Sequence, residues 1–140
     1  MQVIVEFDGG SRGNPGPAAF GCVVRSADDG TPLVTAGRFI GNTTNNVAEW
    51  KGLIFGLAEA NRLGARDVTV RGDSQLVIRQ MTGQYRVKQP HLKPLHEEAS
   101  RLASAFTKVQ YIHNTREHNT LADKLANLAM NKRGDVDEVG

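Results

Sequence analysis

Residues 47–64, Val-Ala-Glu-Trp-Lys-Gly-Leu-Ile-Phe-Gly-Leu-Ala-Glu-Ala-Asn-Arg-Leu-Gly, mark the point where the hydrophobic period of the chain changes. Val47, Trp50, Leu53, Ile54, Leu57, Ala58 and Leu63 form the stripe of an amphipathic helix that stops at Gly64. Before it the chain reads as strands. Gln2–Asp8 (Q-V-I-V-E-F-D) alternates apolar and polar residues, while Ala18–Arg25 and Leu33–Gly41 are two more short runs. They are separated by a glycine- and proline-rich loop, Gly9–Pro17, and by the turn Asp28–Pro32. Short connections make these three strands an antiparallel meander.

After the helix, strand and helix alternate. Asp67–Arg71 is a β-branched strand, Ser74–Met81 a short helix and Gly83–Pro90 a loop. Leu92–Phe106 is a helix, with Pro90 as an alternative start, Val109–His113 is a fifth strand, and Asn119–Met130 is a last helix with Leu121, Leu125, Leu128 and Ala129 on one side. Asn131–Gly140 is polar and reads as a frayed tail. The order β-β-β-α-β-α-α-β-α implies an α/β fold: a mixed five-stranded sheet, antiparallel at first and then parallel, with helices on both faces. Chemistry in such sheets tends to sit beyond the carboxyl ends of the central parallel strands.

Composition narrows the class. A chain of 140 residues, 39% hydrophobic and 23% charged, is one ordinary globular domain, and no apolar run is long enough to cross a membrane. The single cysteine, Cys22, rules out an internal disulfide framework and suits a reducing cytoplasm. The N-terminus enters a strand directly, without the charged and apolar regions of a secretion signal.

Four carboxylates stand at element ends: Asp8 closing the first strand, Asp73 closing the fourth, and Glu49 and Asp123 in the first turns of their helices. Each has a plain structural reading. Asp73 is a good helix N-cap, Asn46-Val47-Ala48-Glu49 fits a capping box, Asp123 complements a helix dipole, and Asp8 is a turn residue. Together they are harder to explain away. Strands one and four are the natural central pair, so Asp8 and Asp73 would be neighbours, with Glu49 and Asp123 brought alongside. Like charges that close need compensation. Divalent cations with oxygen ligands supply it, and two of them can bracket a scissile phosphodiester.

These residues are set in a pattern that resembles type 1 ribonuclease H. The pattern comprises Asp8-Gly9-Gly10-Ser11 with Gly13-Asn14-Pro15-Gly16-Pro17, then Thr44-Asn45-Asn46-Val47-Ala48-Glu49, Gly72-Asp73-Ser74 and Asn119-Thr120-Leu121-Ala122-Asp123. The resemblance covers residues 1–131 as a catalytic domain and leaves 132–140 as a polar tail. It implies the ribonuclease H-like fold, with the metal ligands at Asp8, Glu49, Asp73 and Asp123. It also implies Mg²⁺, or Mn²⁺, as two ions per substrate-bound site, and cleavage of the RNA strand of RNA–DNA hybrids to 5′-phosphate and 3′-hydroxyl ends. The expected protein is a cytoplasmic monomer with no membrane partner and no small-molecule cofactor. Some relatives of this kind continue into a C-terminal phosphatase domain, for which the polar tail would be the start of a linker.

The resemblance places further roles. Gly9, Gly10 and Ser11 let the backbone approach a nucleic-acid strand, and no Gly-Lys-Ser/Thr follows that would make a phosphate loop of the Walker type. Asn14, Asn45, Asn46 and Gln75 match minor-groove or backbone contacts, and Thr44 a phosphate contact. Asn46 also reads as a helix cap. Arg116, with His118 as second candidate, matches a position that assists catalysis or product release. Many members carry a lysine- and tryptophan-rich protrusion where this chain has the short Gly83–Pro90 stretch, in which Arg86 and Lys88 are candidates for phosphate contact.

Two other functions are open to these residues: a nucleic-acid-binding module without catalysis, and a phosphatase with Asp8 as aspartyl nucleophile. The second normally requires Asp-x-Asp, and this chain has Glu6-Phe7-Asp8. The charge distribution favours a nucleic acid. The 17 basic and 15 acidic residues give only +2, but without the tail's Lys132, Arg133, Asp135, Asp137 and Glu138 and the four carboxylates, 15 basic face 8 acidic. A near-neutral total thus contains an anionic centre with a basic surround.

Overall fold

A computed structural model describes residues 1–139, apart from the side chain of Arg116. The five strands are β1 (Gln2–Ser11), β2 (Gly16–Ser26), β3 (Pro32–Thr43), β4 (Asp67–Gly72) and β5 (Lys108–His113). They form one sheet in the order β3-β2-β1-β4-β5. The first three pair antiparallel and β1–β4 and β4–β5 pair parallel, as the element order requires. The α-helices among the described residues are α1 (Asn45–Arg62), α2 (Gln75–Met81), α3 (Lys93–Ala103) and α4 (Thr120–Lys132).

β2 shows how the layers are arranged. Cys22 and Val24 pack in the main core with Trp50, Leu53 and Leu57 of α1, while Val23 packs with Ala122 and Leu125 of α4. A strand covered on both faces needs apolar residues at every position, which is why Ala18–Val24 does not alternate. Trp50, Leu53 and Leu57 are fully buried, and truncating a leucine of this kind to alanine typically costs about 2–5 kcal/mol. Phe55 packs at the edge of the core, its ring 5.5 Å from that of Phe20.

Beyond shifts of one or two residues at element ends, the elements depart from the sequence reading as follows. Gly9, Gly10 and Ser11 belong to β1, paired with Phe20, Ala19 and Ala18, because ladder bonds use the backbone and need no side chain. The cap of α1 is Thr44, whose hydroxyl accepts from the Val47 N–H at 3.2 Å, and not Asn46. α3 ends at Ala103, with Phe106 buried in the turn that follows. The tail is not frayed: Val136 exchanges backbone hydrogen bonds of 2.6 and 2.9 Å with Gly37 on the open side of β3, and Arg38 pairs with Asp137 at 2.9 Å. No described helix is long and apolar enough to cross a membrane.

Candidate active site

The site begins where two parallel strands part. Phe7 and Gly72 are the last register partners of β1 and β4, so Asp8 and Asp73 follow side by side at the carboxyl end of the sheet. The plain structural roles of Asp73 and Glu49 do not hold. Ser74, not Asp73, caps α2, accepting from the Val77 N–H at 3.3 Å. With Thr44 as the cap of α1, Glu49 lies five residues into the helix, beyond the reach of a capping box and past the first turn expected for it.

Gly9 admits that helix. A Cβ at Gly9 would run into the backbone of Ala48 and Glu49, so the missing side chain lets α1 lie directly on β1 and brings Glu49 over Asp8. Carboxylate oxygens of Asp8, Glu49 and Asp73 consequently lie within 4.8 Å of one another. Asp8 and Glu49 are buried and Asp73 half-buried. At an effective dielectric of about 20, repulsion between two ionised carboxylates at this range is on the order of 3 kcal/mol. Three hard oxygen donors around one point suit a divalent cation of the Mg²⁺ or Mn²⁺ class, so the residues present fit such an ion.

Asp123, in the first turn of α4, lines the same cleft of about 480 Å³ but is not one of the three oxygens gathered within 4.8 Å. Gly9, Gly10, Ser11, Asn45 and Asn46 line this cleft too. Arg12 is a cation in its wall, with its guanidinium donating to Asn131 Oδ1. Asn45 joins α1 to the end of β1: its Oδ1 accepts from the Ser11 N–H at 2.6 Å and the Ser11 hydroxyl at 3.1 Å. With Oδ1 so engaged, the amide Nδ2 is the group Asn45 can offer a ligand. Asn14 extends the chain, its Oδ1 accepting from the Asn45 N–H at 3.1 Å.

A second cleft, of about 330 Å³, continues from Asn45 and Asn46 to Asn14, Thr44, Gln89 and His91. His91 therefore stands beside the asparagine cluster. Gln75 is exposed as the first residue of α2, next to Ser74 of the acidic cleft. Arg86 is drawn away from these groups, into a separate cleft of about 640 Å³ with Lys93 and His96, and Lys88 is exposed in the same loop. His118 is exposed in a 3-10 turn, with Nδ1 3.0 Å from the Thr115 hydroxyl. The side chain of Arg116 lies outside the described residues.

Glu6, the partner that an aspartyl phosphatase would need beside Asp8, is instead engaged by Arg25 at 2.7 Å. Sequence reasoning missed Gly21, which lies against the α4 backbone at Ala122, and Asn119, whose Nδ2 donates to the Phe7 carbonyl, entered only as the first residue of the motif ending at Asp123. A glycine inside an apolar strand is the one signal that pointed to Gly21.

Comparison with known proteins agrees with this geometry. A family described as reverse transcriptase-like matches residues 6–129. The bifunctional protein Rv2228c of Mycobacterium tuberculosis is 52% identical over 130 residues, covering 93% of this chain and 36% of its own length. The solved N-terminal RNase H domain of that protein superposes with a TM-score of 0.91 at 50% identity, covering 94% of each chain. Ribonuclease HI of Halobacterium salinarum is 44% identical over 129 residues, covering 92% of this chain and 64% of the relative. LC11-RNase H1, solved in complex with an RNA/DNA hybrid, gives a TM-score of 0.88 at 39% identity, covering 94% of this chain and 98% of that one. The chain spans about a third of the length of its Mycobacterium relatives, 36%.

Proposed function

This chain belongs to the type 1 ribonuclease H family, and on that premise we propose that it is an endoribonuclease that hydrolyses the RNA strand of RNA–DNA hybrids with divalent metal, leaving 5′-phosphate and 3′-hydroxyl ends. The observation that carries the proposal is the gathering of Asp8, Glu49 and Asp73 oxygens within 4.8 Å, two of them, Asp8 and Glu49, lining a cleft together with Gly9, Gly10 and Asn45. Asp8, Glu49, Asp73 and Asp123 are the residues that would hold the metal, as two ions in a substrate-bound site. Divalent cations there would supply an activated water and charge stabilisation at the leaving oxygen.

The remaining groups position the substrate. Gly9 and Gly10 present backbone at which 2′-hydroxyls of the RNA strand can be met. Asn45 donates through Nδ2, and Asn14 and Asn46 continue the polar track along the second cleft. Thr44, Gln75, Arg86 and Lys88 take the sugar-phosphate backbones, the last two from the loop that replaces a basic protrusion. His118 or Arg116 moves a proton or helps the product leave. The protein acts as a cytoplasmic monomer, a setting that the single buried Cys22 suits. The test is a panel of labelled RNA–DNA hybrid, double-stranded RNA and DNA with single ribonucleotides, each with Mg²⁺, Mn²⁺ or EDTA. Cutting of the hybrid's RNA strand with metal and none with EDTA is expected. An uncut hybrid under both metals would leave the binding-module reading in its place.

A further inference from the structure

We propose that Asn119 is a positioning residue that sets where Asp123 stands relative to Asp8. Asn119 immediately precedes α4 and is 2% exposed, yet its side chain makes no capping bond to its own helix. Its Nδ2 instead donates to the carbonyl of Phe7 at 2.7 Å, across 112 residues of chain. Phe7 is the last β1 residue in register with β4 and directly precedes Asp8. The backbone carbonyl of Asn119 in turn accepts from the Asp123 N–H at 3.1 Å. Two hydrogen bonds and one residue therefore connect the backbone before Asp8 to the backbone of Asp123.

The amide is kept at a cost, because its Oδ1 finds no partner among the described residues. An apolar residue would fill the space without leaving an acceptor unmet, so the donor is the feature the position requires. Aspartate separates the two roles. It caps helices as well as asparagine does and has the same shape, but when ionised it cannot donate to Phe7. A capping or filling role predicts that Asn119→Asp is harmless, and a donor role predicts that it is damaging.

The inference rests on the reading of the site as a metal-dependent nuclease, and the experiment separates the two. Wild type, Asn119→Asp and Asn119→Ser are compared for kcat and KM on a labelled hybrid, for hybrid affinity in EDTA, and for Mn²⁺ affinity by calorimetry without nucleic acid. Both variants should lose about 10- to 100-fold in kcat and bind Mn²⁺ more weakly, as loss of a partner behind a metal ligand does. KM and hybrid affinity in EDTA should stay within about two-fold, because the substrate contacts are untouched. Asn119→Asp with wild-type kcat and Mn²⁺ affinity would overturn the proposal. So would a rise in KM with kcat unchanged, or failure of both variants to fold, which would make Asn119 a residue of the fold rather than of the site. Wild type that leaves the hybrid uncut would defeat the nuclease reading, and the Mn²⁺ titration would still decide the role of Asn119.

Discussion

Gly21 stands directly opposite Asp8 in the β1–β2 ladder, and the Ala122 carbonyl of α4 occupies the space its side chain would need. The obstacle is helix backbone, also approached at the Ala126 N–H, and backbone cannot rotate away as a side-chain tip can. Gly21→Ala must therefore push α4 off the sheet, and Asp123, next after Ala122, moves with it. The expected cost is about 1–3 kcal/mol of stability, the range for forcing a methyl into a packed interior. Cleavage should fall further than stability explains, with hybrid affinity in EDTA preserved. Denaturant midpoints and steady-state rates check this, and a variant matching wild type in both would show that α4 can shift without consequence.

Asp8→Asn and Asp73→Asn remove metal ligands from a cluster of three like charges within 4.8 Å. Each should abolish cleavage. Without metal, each should leave thermal stability unchanged or raise it by up to about 1–2 kcal/mol at low ionic strength, a gain that shrinks as salt screens the repulsion. Thermal melts in EDTA at low and high salt are the measurement. Marked destabilisation there would mean that these carboxylates serve the fold more than the metal.

What could be foreseen depended on how local its cause was. The change of period after Val47 and the strand–helix alternation are local properties, and they predicted the mixed sheet and the neighbourhood of Asp8 and Asp73. The family pattern carried Glu49 and Asp123 to the same edge. The cap of α1 was misplaced because Thr44 and Asn46 are both good caps two residues apart, and only the bond to Val47 decides between them. Gly9–Ser11 looked like a loop because glycine is a poor strand former, whereas here it lets α1 approach. The separation of Arg86 from the asparagine cluster, like the contact of Asn119 with Phe7, depends on tertiary packing and has no local signature.

The tail follows the same rule, since its partners lie about a hundred positions upstream. Its stabilising contribution comes from backbone hydrogen bonds and from Val136 packed against Ala19, Ala129 and Met130 rather than from charge. The Gly37–Val136 exchange supplies two hydrogen bonds worth roughly 1 kcal/mol each. Asp137, though 2.9 Å from Arg38, has a side chain 76% exposed, and such pairs contribute little. Truncation after Arg133 should thus lower stability by about 1–2 kcal/mol, and Val136→Pro, which removes the donor to Gly37, by about 1 kcal/mol. Asp137→Asn should cost less than about 0.5 kcal/mol. Chemical denaturation orders the three, and an Asp137→Asn loss equal to that of truncation would reverse the assignment.

Alkaline pH provides a separate check on the core. Burial pushes the Cys22 thiol well above its ordinary value, with the carboxylates of Glu59 and Glu6 adding to the shift. Burial likewise raises Tyr111 to about 12. Both folded-state values lie above the unfolded ones, so the fold favours the neutral forms and the unfolded chain loses its protons first. Stability from these groups is intact below about pH 8.5 and falls as pH rises past that point, at up to about 1.4 kcal/mol per pH unit for the fully buried thiol. Tyr111, only partly buried, adds a smaller decline above about pH 10. Cys22→Ala should be less stable at neutral pH because it leaves space beneath α1, but its stability should be flatter between about pH 9 and 10. Denaturation midpoints across that range, in wild type and variant, decide the point: parallel curves would mean that the thiol ionises as readily in the fold as outside it.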